Sequence, residues 1–132
     1  MKEKVVMAPT ATLEIGKAAW SDYFDDLGRV YAGWSVTVDI LLGALGDQRR
    51  IDNLPLRGLS YDKKGSQAGD ILIEAGDLNL AYEVHRIPNP RIVRATTTHS
   101  GAEIDLQIES VEGQTAVIRI RPHPALPPAE QS

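Results

Sequence analysis

Residues 20–42 read WSDYFDDLGRVYAGWSVTVDILL, and the spacing of their apolar side chains changes once, at Gly33. Before that glycine, at about 100° per residue, Trp20, Tyr23, Phe24, Leu27, Val30 and Tyr31 fall within one arc about 120° wide. Asp22, Asp25, Asp26 and Arg29 fall opposite. This predicts a helix lying on a core, opened by Gly16 and Lys17 and closed by Gly33, where a left-handed residue is wanted. After the glycine, Trp34, Val36, Val38 and Ile40 alternate with Ser35, Thr37 and Asp39, the rhythm of a strand with one buried face. Asp25 is expected to pair with Arg29 one turn on. Three carboxylates on a polar helix face supply too few oxygens for a hard cation, so no metal site is expected there.

Outward from this stretch, GALGDQ turns the chain into a strand from Arg50 to Tyr61. Its buried phase is set first by Leu54 and Leu56, then by Leu59 and Tyr61. That one-residue slip across Gly58 is what a β-bulge produces. Asp62-Lys63-Lys64-Gly65 reads as a turn. Ile71 and Ile73 mark a short strand, GDLN a second turn, and Leu80, Tyr82 and Val84 the core side of the strand after it. In that phase Glu83 and His85 point outward, and Arg86 points inward at the strand's end. The PNP at residues 88–90 reads as an extended, stiff connector, because Pro90 lacks an N–H and the residue before a proline is pushed toward extended conformations. A further strand runs from Ile92 to Thr98.

The segment 103–121 fixes a register. Ile104, Leu106 and Ile108 form one face of an outgoing strand, and Ala116, Ile118 and Ile120 one face of the returning strand. A three-residue loop, Val111-Glu112-Gly113 with the glycine left-handed, pairs Ile108 with Ala116, Leu106 with Ile118 and Ile104 with Ile120. It also sets Asp105 across from Arg119 and Glu103 across from Arg121, exposed ion pairs each worth well under about 1 kcal/mol.

The fold class that follows is α+β. An N-terminal amphipathic helix packs on a twisted antiparallel sheet of about six or seven strands, which a small open barrel would curl further. Residues 1–15 form an N-terminal extension, 16–121 a single domain, and 122–132 a Pro-rich tail expected to be disordered. PALPP within that tail could serve a partner domain that reads Pro-rich ligands.

Composition narrows the function. The chain has 132 residues, 18 acidic against 14 basic, a net charge of −4 and no cysteine. The acidic balance argues against a nucleic-acid-binding protein, whose affinity accumulates from Lys and Arg. Thiolate chemistry and disulfides are excluded outright. The apolar run Val5-Val6-Met7 is shorter than a signal peptide requires, and no stretch approaches a membrane span. A cytoplasmic location with no membrane association is therefore expected.

Candidate site residues cluster in VHRIPNPRIVR, residues 84–94, where His85, Arg86, Arg91 and Arg94 could hold an anion, with Arg49 and Arg50 as further contributors. The spacing matches no phosphate-cradling loop, and no helix N-terminus follows it. The three histidines are His85, His99 and His123. No nucleophile elbow, P-loop, HExxH or dinucleotide fingerprint accompanies them, and Ser100 beside His99 lacks a visible base and acid. No catalytic residue, cofactor or metal is expected. The favoured reading is a non-catalytic protein-binding or self-associating domain, its partner a second copy of the chain or another protein. The alternative is a small anionic-ligand-binding domain using His85 and nearby arginines.

The order of motifs carries a resemblance. WSDYFDDLGRVYAGWSVTVDIL, GDQRRIDNLPLRGLSYD, VHRIPNP and AEIDLQIESVEGQTAVIRIR together resemble a bacterial family of small uncharacterised proteins, the domain of unknown function numbered fifty-three thirty-five, over residues 18–121. Trp20, Phe24, Gly33, Trp34, Gly46, Gln48, Leu54, Pro55, Leu56, Gly58, His85, Ile87, Pro90, Ile108, Glu109, Ser110 and Gly113 fill the places of its pattern. Tyr23 stands where Phe is more usual, and Lys64-Gly65-Ser66-Gln67 looks longer than its counterparts. The resemblance implies no established activity.

Overall fold

The change of rhythm at Gly33 is a change of element. A computed structural model describes residues 10–63, 69–77, 79, 82–98 and 102–122. The strands are β1 (Thr10–Ile15), β2 (Ser35–Leu41), β3 (Asp47–Asp62), β4 (Asp70–Ala75), β5 (Glu83–Pro88), β6 (Pro90–Thr98), β7 (Ile104–Ser110) and β8 (Thr115–Arg121), and the helix is α1 (Trp20–Val30). Short 3-10 turns cover Lys17–Ala19 and Gly43–Leu45. His99, Ser100, His123, Leu80, the Lys64–Gln67 stretch and the tail after Pro122 lie outside the described residues.

The strands form one antiparallel sheet in the order β1-β6-β7-β8-β2-β3-β4-β5, and its two end strands do not pair. The α+β class thus holds in outline, with a larger sheet and a shorter helix than expected. One added strand is β1, in the stretch assigned to an extension: Thr12 and Glu14 alternate with Leu13 and Ile15, and all of it pairs with β6. The helix is short because its first turn, Lys17–Ala19, winds as 3-10. No side chain caps α1. Instead the Trp20 indole N–H donates to the Ile15 carbonyl at 2.8 Å, tying the helix start to β1.

Trp20, Phe24 and Leu27 are buried, as the 3.6-residue period requires. Val30, placed on the same arc, is exposed at the last residue of the helix. Arg29 pairs with Asp26 at 2.9 Å rather than with Asp25. Gly28 faces β3 so closely that a Cβ there would lie 3.2 Å from the Leu59 nitrogen and 3.3 Å from its oxygen. The helix therefore lies against the backbone of β3, an approach that a missing Cβ makes possible. Gly33 follows with φ +87°.

The long β3 pairs with β2 in its first half and with β4 in its second. Three register slips bend it between these partners. Asp39 pairs with Arg49 and Val38 with Ile51, so Arg50 is an extra residue in the ladder. Val38 pairs with Ile51 and Val36 with Leu54, which leaves another extra residue near Asn53, at φ 60°. The third slip lies between Leu56 and Gly58, where the glycine was expected to break the phase.

The hairpin of β7 and β8 has the register its loop length dictates: Ile104 with Ile120, Leu106 with Ile118, Ile108 with Ala116. Gly113 is left-handed at φ +95°, and Ser110 and Gln114 close the three-residue loop. The ion pairs fall otherwise. Arg119 reaches past Asp105 to Asp39 on β2, at 2.9 Å, because β2 flanks β8 on its other side. Asp105 stands 2.9 Å from Arg121 at an angle that makes no hydrogen bond, and Glu103 stands 3.9 Å from the same guanidinium.

The connector between β5 and β6 is a kink, not the extended spacer expected of PNP. Asn89 takes φ 51°, a left-handed conformation that Asn adopts more readily than most residues. Its N–H donates to the Gly69 carbonyl at 3.0 Å and its carbonyl accepts from Val111 N–H at 2.9 Å. One residue thus bridges the start of β4 and the β7–β8 turn. One buried cluster draws on α1 and on every strand from β2 to β8. Each fully buried Ile or Leu in it contributes about 1.5–3 kcal/mol. Among the described residues, no helix is long and apolar enough to cross a membrane.

Candidate functional site

The kinked end of the sheet holds a pocket of about 130 Å³. The β2–β3 turn, the end of β5 and the β7–β8 turn surround it. Its apolar part comes from Ile40, Leu42, Ile87, Pro88 and Ala116, and its polar part from Gln48, Arg50, His85, Arg86, Ser110 and Gln114.

His85 reaches this pocket through a phase opposite to the one expected. Ile71 pairs with Ile87 and Ile73 with His85, and both β4 isoleucines are fully buried. Directly opposed residues share a face, so Ile87 and His85 turn inward while Tyr82, Val84 and Arg86 turn toward solvent. The imidazole is half-buried. Burial pushes its pKa below the usual histidine value, and the nearby Arg50 guanidinium pushes it further the same way. Both effects favour the neutral ring, in which one nitrogen donates and the other accepts.

Arg50 enters from the opposite wall. Arg49 keeps the regular ladder and turns outward, where its Nε lies 2.8 Å and its Nη2 3.1 Å from the Asp39 carboxylate. Arg50, the extra residue, points instead toward the pocket, an instance of a bulge re-aiming a side chain. Among the described residues no carboxylate lies within ion-pair distance of Arg50. Gln48 stands opposite Ile40, on the same inner face.

The cluster read from residues 84–94 is divided. His85 and Arg86 border the pocket, but Arg86 is paired with Asp70. Arg91 and Arg94 lie across the sheet on Glu109, at 3.2 and 3.0 Å, with Glu14 4.0 Å from Arg94. The four do not converge. The residues that meet His85 are Arg50, named beforehand only as a further contributor, and Gln48 and Gln114, which charge counting overlooks. Gln48 did stand, two residues after Gly46, among the residues that carry the family resemblance, the one sequence signal that pointed to it.

Among the described residues the lining holds no carboxylate, so none of them stands as an acid to orient His85 as a base. It offers one guanidinium free of a carboxylate, a neutral imidazole and two carboxamides beside an apolar wall. Such a set has the donors and the positive charge to hold and orient an anion. Among the described residues no cluster of metal-ligating side chains occurs.

The family described as "Family of unknown function (DUF5335)" matches residues 11–129. A protein of Aquifex aeolicus (strain VF5), named "Uncharacterized protein", is 29% identical over 117 residues, covering 89% of this chain and 98% of its own length. No solved structure matches the chain.

Proposed function

The chain belongs to this family of unknown function, and from that premise we propose that it is a non-catalytic domain binding a small anionic ligand between β3 and β5. One observation supports this above the rest: a bulge delivers Arg50, without an acidic partner, to the pocket that holds His85. Elsewhere on the sheet, Arg49, Arg86, Arg91, Arg94, Arg119 and Arg121 are each matched to an acid, and Arg57, which among the described residues also has none, lies outside the pocket lining. A guanidinium left unmatched beside a neutral hydrogen-bonding ring suits a ligand that brings the negative charge itself. Gln48 and Gln114 add donors, and Arg86 stands at the margin.

The test is thermal unfolding with and without millimolar acetate, sulfate and inorganic phosphate at low ionic strength. Binding to the folded state alone raises the midpoint by mass action. Wild type should respond to at least one anion and Arg50→Gln to none; an equal response in both would remove the site from the pocket.

A second reading, a self-associating or protein-binding domain, has its own support. Among the described residues both end strands of the sheet have an outer edge without a partner strand, and each displays an exposed apolar side chain, Leu13 at 64% on β1 and Val84 at 54% on β5. Light scattering after size exclusion tests it: a dimer that Leu13→Lys or Val84→Lys dissociates would favour this reading, and a monomer at all concentrations would weigh against self-association.

A further inference from the structure

Resting on that reading, we infer that the pocket takes a carboxylate carried on a compact apolar body, not a phosphate. Charge is the first reason. Among the lining residues Arg50 is the cation without a carboxylate partner, since Arg86 is engaged by Asp70. Arg50 thus gives the site one unmatched positive charge, which suits a monoanion. A guanidinium also presents two parallel N–H groups at the spacing of one carboxylate. Phosphate sites add a second cation, a helix N-terminus or a nest of backbone N–H groups. Here α1 begins at Trp20, away from the lining.

The apolar half is the second reason. Ile40, Leu42, Ile87, Pro88 and Ala116 face the same space as Arg50. An inorganic ion would leave that wall wet, whereas a short alkyl body would cover it. A cavity of about 130 Å³ has room for a handful of non-hydrogen atoms, in the range of a short branched acid. The same chemistry, an apolar group ending in a carboxylate, belongs to a free small acid and to the C-terminal residue of a chain ending in Val or Leu.

Titrations of the isotope-labelled full chain, followed by its backbone amide signals, separate these possibilities. The probes are acetate, butyrate, isovalerate, inorganic phosphate, and the peptide acetyl-Gly-Val as free acid and as amide. Affinity should rise by about fourfold for each methylene buried on going from acetate to isovalerate. Phosphate should bind more weakly than isovalerate. Arg50→Gln should lose the response to every acid, Arg50→Lys should retain part of it, and Leu42→Ser should keep acetate while flattening the gain with chain length. A free-acid peptide that binds more tightly than isovalerate, with the amide silent, assigns the carboxylate to a chain end; the reverse order assigns it to a free acid.

Arg50-dependent binding of phosphate at least as tight as isovalerate, or one affinity from acetate to isovalerate, would overturn this inference and leave anion binding intact. Silence to every anion would remove both.

Discussion

Ile73 stands directly opposite His85 across β4 and β5, and this pairing turns the imidazole inward to share the pocket with Arg50. The burial and the guanidinium both disfavour the charged ring, so the folded pKa lies below the unfolded value of about 6.5. The associated stability is complete above that value. Below about pH 6.5 the unfolded chain takes up the proton first, and stability falls until the folded value is passed. The thermal midpoint should therefore drop more steeply between roughly pH 7 and pH 5.5 in wild type than in His85→Gln. Parallel profiles would mean that the ring feels no such pressure.

The outer face carries the opposite case. Asp39 is covered by the arms of Arg49 and Arg119, and the hydrogen bond from Arg49, ahead of that from Arg119, holds its carboxyl below the usual range. Burial opposes this more weakly than the two arginines together favour it. Replacing it as Asp39→Asn should lower stability near neutral pH by about 1 kcal/mol, limited because both guanidiniums are largely open to screening water. The folded pKa is depressed, so this contribution is present above the unfolded value of about 3.9 and disappears as pH falls through the folded one. Urea midpoints of the two proteins should converge in that acid range.

Adjacent arginines should behave differently. Arg49→Ala removes the two-pronged grip on Asp39 and should lower the urea midpoint. Arg50→Ala breaks no ion pair and relieves one pressure on His85, so the midpoint should stay or rise. Anion response should follow the reverse pattern, lost with Arg50 and kept with Arg49. A single urea series on the two variants, with and without acetate, measures both effects.

Two glycines separate backbone strain from close approach. Gly113 has open space around its missing Cβ but sits at φ +95°, so Gly113→Ala should cost about 1 kcal/mol with the hairpin register intact. Gly28 lies in a helix, where alanine alone would add about 1 kcal/mol. Its Cβ would press on the nitrogen and oxygen of Leu59, atoms of a paired strand that cannot swing aside. Gly28→Ala should therefore destabilise, and a higher thermal midpoint would show that the helix can lift off β3.

What sequence made legible follows from how local each constraint is. The β7–β8 register rests on loop length and one left-handed glycine, and the slip at Gly58 on a break in alternation within one strand. Arg119 was assigned to Asp105 because the hairpin was the available frame; the flanking strand β2 offered Asp39 instead. β5 was harder, since apolar residues occupy both parities: Tyr82 and Val84 on one, Ile87 on the other. At the edge of a sheet either face can be exposed without breaking the pattern.

The sequence by itself determined the change from helix to strand at Gly33 and the pairing of Leu106 with Ile118, because each side chain's neighbours there lie within a turn or a hairpin. Tertiary structure decided the site. Which face of β5 turns inward was settled by Ile71 and Ile73 on β4, and which arginine enters the pocket by a bulge against β2. Both outcomes depend on pairings between separate strands, which no spacing within one strand encodes.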